Sequence, residues 1–227
     1  MKNKIIIGSR RSKLALIYAE RAKIELLRNS QIESVEIKCI TTTGDIIKDE
    51  RISEYGGKGA FCKLIEQELL DKNIDIAVHA LKDMPTEETK GLLTNCFLER
   101  NDPREILISN NKKKIKELKT NALIGTSSFR REFQLKNIRN DINCKLIRGN
   151  VDTRIKKLNN NLYDAIILSY AGIKSLGLED TICQTFSTSE IIPSAGQGVV
   201  ALQCRKNDQE LIKILNEINH KPTHICI

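Results

Sequence analysis

Five arginines stand where apolar, strand-like runs give way to turns of small residues. Arg10 lies in Gly8-Ser9-Arg10-Arg11-Ser12, Arg130 and Arg131 follow Gly125-Thr126-Ser127-Ser128, and Arg148 and Arg154 bracket Gly149-Asn150-Val151-Asp152-Thr153. A small-residue turn that opens a helix presents backbone N–H groups and the positive end of the helix dipole. Arginine adds a planar fork that grips a carboxylate or phosphate with two bonds. For any one of these arginines, solvation or a nearby Asp or Glu is the simpler account. For the set, at matching chain positions, a site for a ligand with several anionic groups is the better one. A second constellation is Asp75-Ile76-Ala77-Val78-His79-Ala80-Leu81-Lys82-Asp83-Met84-Pro85. It puts Lys82 and Asp83 at the carboxyl end of a strand. There Asp83 suits acid/base work or the stabilisation of a cation, and Lys82 suits an anion contact. Standing alone, the segment reads more simply as a turn fixed by Pro85. His79, on the strand itself, reads as a core or supporting histidine.

Bulk properties narrow the partner. The chain has 227 residues, 40% hydrophobic, with a net charge of +8 and a pI near 9.1. That balance favours an anionic partner. Aromatics make up only 4% and Trp is absent, so stacking platforms for nucleic acid are poorly supplied. The run Lys112-Lys113-Lys114 reads as a solvated face. The seven cysteines are scattered with no CxxC pair, which argues against zinc or any other metal and for a reducing compartment. No apolar run is long enough for a membrane span or an export signal, and a cytoplasmic protein is expected.

The elements that must position these residues alternate in type. Ile5–Ile7 reads as a strand, 12–28 as a helix with Leu14, Ile17, Ile24 and Leu27 on its inner face, and Val35–Thr41 as a strand. Residues 42–60, with four glycines, read as a long loop of the kind that serves as a lid. Residues 61–71 form a helix with Phe61, Leu64, Ile65 and Leu69 inward, and Ile74–His79 a buried strand. A second set holds strands at Ile106–Ser109, Leu123–Gly125, Lys145–Ile147 and Ala165–Leu168, with helices at 128–138, 151–160 and 171–177. Val199–Gln203 returns to a strand and 208–219 to an amphipathic helix. The order indicates an α/β protein with mostly parallel sheets flanked by helices, whose ligands sit beyond the carboxyl ends of the strands. Polar crossings at Glu99–Arg104 and Pro193–Gly198 imply a discontinuous first domain, 1–98 plus 199–219, and an inserted second domain, 104–193. Residues 220–227 read as a short tail. A cleft between two such lobes suits a polyanion.

At this point the chain resembles the hydroxymethylbilane synthase family, also called porphobilinogen deaminase. The resemblance is carried by Gly8–Leu16, Gly56-Gly57-Lys58-Gly59-Ala60-Phe61, Asp75–Pro85, Gly125–Arg131, Arg148–Arg154 and Pro193-Ser194-Ala195-Gly196-Gln197-Gly198, in that order. It implies two lobes of the type II periplasmic-binding-protein kind and a transferase that joins four porphobilinogen molecules into a linear tetrapyrrole with release of ammonia. Each pyrrole carries two carboxylates, which would account for the arginines. The resemblance makes Asp83 the catalytic residue. It gives Arg10, Ser12, Lys82, Thr126, Ser127, Ser128, Arg130, Arg131, Arg148, Arg154 and Gln197 to the cofactor or substrate carboxylates, and Lys58 and Phe61 to the lid. It also implies a dipyrromethane cofactor, a cytoplasmic monomer, and neither a nucleic-acid nor a membrane partner.

Two departures stand out. Ser175 occupies a position where the family has an arginine. The family's third domain, whose Gly-Gly-Cys cysteine bears the cofactor, would begin where residues 220–227 stand, and Cys226 matches a non-cysteine position. The attachment site is therefore expected to be absent from this chain, its domain encoded separately, lost or never needed, and the chain alone is expected to carry no covalent dipyrromethane and to make little or no hydroxymethylbilane. The competing expectation is a non-catalytic cytosolic binding protein for pyrrole polycarboxylates or other polyanions.

Overall fold

The computed structural model describes residues 3–42, 59 and 61–227. They fall into two compact units, one holding the described residues up to Asn101 together with Val199–Ile227, the other Asp102–Gly198. In chain order the first unit contains β1 (Lys4–Arg10), α1 (Lys13–Leu27), β2 (Ser34–Ile40), α2 (Lys63–Leu70), β3 (Ile76–Ala80) and β4 (Leu92–Phe97). The second contains β5 (Glu105–Ser109), β6 (Leu123–Gly125), α3 (Phe129–Ile138), β7 (Asn143–Lys145), α4 (Val151–Asn159), β8 (Ala165–Ser169), α5 (Tyr170–Ser175) and β9 (Gln184–Thr185). The chain then returns to the first unit as β10 (Val200–Arg205), α6 (Gln209–Ile218) and α7 (Lys221–Ile225).

Each unit is built on one mixed, mostly parallel sheet. The strand orders are β2-β1-β3-β10-β4 and β7-β6-β8-β5-β9. In the first sheet β1, β2 and β3 are mutually parallel and β10 is antiparallel to both β3 and β4, so four strands share one direction. In the second, β5 is the reversed strand between β8 and β9. The period-2 alternation of strands explains why both faces are apolar. Ile106, Ile108, Ile166 and Leu168 point to one face with Leu158 and Ile173, while Leu107, Ala165 and Ile167 point to the other with Leu135 and Phe186. In the first sheet Ile5, Ile7, Ile76 and Val78 meet α1 and α6, and Ala77 meets Ile65 and Leu69 of α2. Each such fully buried aliphatic side chain contributes roughly 1.5–3 kcal/mol.

Four expectations change. β7 covers Asn143–Lys145, so the expected strand Lys145–Ile147 overlaps it only at Lys145. The buried face of α1 is Tyr18, Ala19, Ala22 and Leu26, while Ile24 and Leu27 are exposed. Small residues at 19 and 22 let the helix approach its sheet closely, and that packing decided the face over raw hydropathy. On α2, Leu64 is exposed and Ile65 and Leu69 are buried. The residues after 219 are not a loose tail. His220 caps α7 by accepting from Thr223 N, its own N–H donates to Phe97 O at 2.9 Å, and Arg100 N donates to Thr223 Oγ1 at 3.0 Å. His224 meets the Phe97 ring edge-on at 5.2 Å. The sequence reading also left β4, β9 and α7 unassigned.

Candidate functional site

In the first unit β1 ends on Arg10. Ser12 then caps α1, its Oγ accepting from Ala15 N at 3.3 Å, while Ser9 Oγ donates back to Ala15 O at 3.1 Å. The turn between strand and helix is thus fixed by its own hydroxyls, as the Gly-Ser-Arg-Arg-Ser pattern suggests. The Arg10 guanidinium lies 4.0 Å over the Phe61 ring centroid, a cation–π contact. Phe61 therefore meets one of the residues expected to grip ligand. Lys58, the other expected lid residue, lies outside the described residues, as do Gly56 and Gly57.

Lys82 and Asp83 form a 3-10 turn, Leu81–Asp83, directly after β3. Leu81 N donates to Val199 O at 3.0 Å, Met84 N to Leu81 O at 3.1 Å, and Cys62 Sγ to Asp83 O at 3.6 Å. The turn carries Asp83 half-buried at the carboxyl end of the sheet, where open α/β sheets bind ligands. His79 is buried on β3, and burial pushes its ring down to about 4. Gln203 approaches that ring closely enough to act on it electrostatically, yet neither His79 Nε2 nor Gln203 Oε1 has a hydrogen bond of good geometry. His79 is accordingly a neutral supporting histidine near neutral pH.

In the second unit the small-residue turns are also internally bonded. Thr126 Oγ1 accepts from Ser128 N at 3.2 Å, Ser127 Oγ donates to Ile147 O at 3.0 Å, and Ser128 caps α3 by accepting from Arg131 N. Arg130 and Arg131 converge on Glu105, with Nη2 atoms 2.6 and 2.8 Å from its two carboxylate oxygens. Arg130 also donates to Ile192 O, and Arg131 to Ile167 O at 3.2 Å. Burial pushes Glu105 up, but the two arginines together outweigh it and hold its carboxyl below the usual range. Here the simpler account of an arginine, pairing with a nearby carboxylate, describes what the fold does with this pair. Glu105 was not singled out from the sequence. It leads into a strand with nothing local to mark it as fully buried.

Arg148 precedes α4, and Arg154 lies on it with Nε donating to Gly149 O at 2.8 Å. Gly149 has φ of +106°, and a Cβ there would come within 2.7 Å of Thr153, so only glycine fits this turn. Gln197, expected at the ligand, is buried and donates to Pro103 O at 2.6 Å. It staples together the two segments where the chain enters and leaves the second unit. Ser175, in place of the family's arginine, donates back to Ala171 O at 2.8 Å within α5. Among the described residues no group of His, Cys, Asp and Glu could hold a metal, and no helix is long and apolar enough to cross a membrane.

Residues 5–213 match the family described as porphobilinogen deaminase, dipyromethane cofactor binding domain. Among curated proteins, porphobilinogen deaminase of Rickettsia typhi is 46% identical over 224 residues, covering 98% of this chain and 75% of the relative. That of Bacillus subtilis is 44% identical, covering 98% and 71%. The chain belongs to the porphobilinogen deaminase family. Solved structures with the same fold include a lipoprotein of Bacillus subtilis assigned to methionine binding, with TM-score 0.59 and 16% identity over 98% of this chain and 92% of that one. Another is an amino-acid ABC transporter extracellular-binding protein of Bacillus subtilis, with TM-score 0.52 and 15% identity over 95% and 89%. The fold is that of the type II periplasmic-binding proteins, with sheets flanked by helices and no closed barrel.

The family's cofactor, dipyrromethane, bears carboxylates. Arg10, Lys82, Arg148 and Arg154 supply the kind of donors such groups need. The buried thiols fit the covalent half poorly. Burial pushes Cys62 and Cys96 up to about 12 and Cys204 to about 11, which keeps them protonated and weakly nucleophilic. Cys39 and Cys226 are exposed.

Proposed function

We propose that this chain carries the reaction by which porphobilinogen units are joined head to tail into linear hydroxymethylbilane. Asp83 is the reacting carboxylate. The observation that carries the reading is the placement of Asp83 on a tied 3-10 turn at the carboxyl end of β3, in a chain matched to the family over residues 5–213. Joining two pyrroles breaks the C–N bond of a protonated aminomethyl group, –CH2–NH3+. Ammonia leaves with the bonding pair, the resulting cationic pyrrole forms a C–C bond to its neighbour, and one ring proton departs. A carboxylate beside the ring stabilises that cation by Coulomb attraction and accepts the proton. Bound dipyrromethane supplies the primer that is extended. Arg10, Lys82, Arg148 and Arg154 orient pyrrole carboxylates, aided by Ser12, Thr126, Ser127 and Ser128 at their turns. Arg130 and Arg131 act mainly through Glu105, and Gln197 through Pro103. Phe61 covers Arg10 until ligand displaces it.

Under this reading the chain works in the cytoplasm as a monomer. The test is Asp83→Asn in the full protein with its cofactor attached. Turnover should fall by about 100-fold or more, with an unchanged fold by circular dichroism. Near-normal turnover would remove Asp83 from the chemistry.

A further inference from the structure

The segment that carries Asp83 is held to the start of α2 at two points one helical turn apart. Cys62, just before α2, donates to the backbone oxygen of Asp83 at 3.6 Å. Glu66, one turn on, accepts from Thr89 Oγ1 at 2.8 Å with one oxygen and from Gln203 Nε2 on β10 at 3.0 Å with the other. Glu66 is only 4% exposed, and both of these donors are neutral. Two hydrogen bonds satisfy this buried carboxyl group and fix its orientation.

A cavity of about 140 Å³, lined by Glu66, Leu81, Met84, Glu87 and Gln203 among others, runs beside the segment. Close packing alone therefore does not fix the Asp83 loop, and the polar ties carry more of its placement. Among the described residues, the charged and titratable groups around the Asp83 segment are Arg10 on β1, Cys62 and Glu66 at α2, His79 on β3, Lys82 beside Asp83, and Glu87 and Glu88 on the following segment. The uncharged Gln203 comes from β10.

We propose that Glu66 is a positioning residue for Asp83, holding the segment it stands on through Thr89 and anchoring that segment to β10 through Gln203. The inference rests on the reading of Asp83 as the reacting carboxylate. Glu66→Ala removes both ties at once, whereas Thr89→Val removes only the one to the Asp83 segment.

The decisive measurement is porphobilinogen turnover in the full protein with its cofactor. In Thr89→Val, which cuts the tie to the Asp83 segment, turnover should fall about tenfold while KM stays within about twofold. Glu66→Ala should lower it at least as far, and Glu66→Gln, which keeps an acceptor for Thr89, should recover most of that loss. Wild-type turnover in folded Thr89→Val overturns the proposal, and should Glu66→Ala fail to fold, Thr89→Val alone decides. Wild-type turnover in Asp83→Asn would remove the reading of Asp83 and this inference with it, whereas loss there beside a wild-type Thr89→Val removes this inference alone.

Discussion

Asp83, just after β3 in the first unit, and Glu105, the first residue of β5 in the second, are both acidic residues at a strand end, yet the fold treats them in opposite ways. Asp83 is half-buried and tied through its backbone, by Cys62 and by the 3-10 turn. Glu105 is fully buried and tied through its carboxylate, with Arg130 and Arg131 on its two oxygens. A backbone tie leaves the side chain's charge to act on a ligand. A double ion pair directs that charge, and two arginines with it, into holding the sheet to α3. The presence of an arginine at a strand end therefore does not by itself make an anion site, because the same fork can be closed by the protein's own carboxylate.

The sharpest way to break this comparison is Glu105→Ala. It leaves two arginines, one of them buried, without their shared partner and should cost about 3–5 kcal/mol of stability. Chemical denaturation measures the loss, and a change within about 0.5 kcal/mol would show that the arginines had another use. The pH dependence separates the units next. His79 binds a proton more readily when unfolded, since its folded value is about 4 against an ordinary 6.5. Stability of the first unit should thus fall by about 3 kcal/mol as pH drops from 6.5 to 4. Glu105 is depressed instead, so its contribution is intact above the ordinary value of 4.5 and is lost only as pH falls below it. Amide hydrogen exchange across this range should show the first unit opening first. His79→Gln should flatten that response, and simultaneous opening of both units would contradict the assignment.

Arg148→Leu comes next in size. If Arg148 serves ligand as Arg130 and Arg131 serve Glu105, calorimetry with a dipyrrole carboxylate should show about tenfold weaker binding in the folded variant. Unchanged affinity would place Arg148 with the structural pair. A last pair of variants, one of them expected to be nearly silent, tests the face of α1. Ile24→Lys should stay within about 0.5 kcal/mol of the parent, while Ala22→Leu should cost about 1–3 kcal/mol by overpacking.

Most of the scaffold was legible because local signals agreed. Ser12 and Ser128 sit at caps, Leu123–Gly125 is a strand as expected, and the β-branched runs at 5–7, 106–108 and 165–168 lie in sheets. β4 escaped because Leu92-Leu93-Thr94-Asn95-Cys96-Phe97 neither alternates nor runs apolar throughout. It is an edge strand whose pairing with β10 shifts register at Leu202/Gln203. α7 is too short for periodicity to reveal, and its order comes from Phe97 and Arg100, more than a hundred residues upstream. The ordered motifs made Asp83 and the arginine set visible, since residue type and spacing along the chain are local properties. Which charges meet is not local. Glu105 finds Arg130 and Arg131 some 25 residues away, and Glu66 finds Gln203 across 137. The sequence by itself determined the strand–helix alternation and the chemical types available at the strand ends. Only the tertiary structure decided which arginines are closed by an internal carboxylate and what underlies Asp83, because ion pairing and burial depend on distances that folding alone creates.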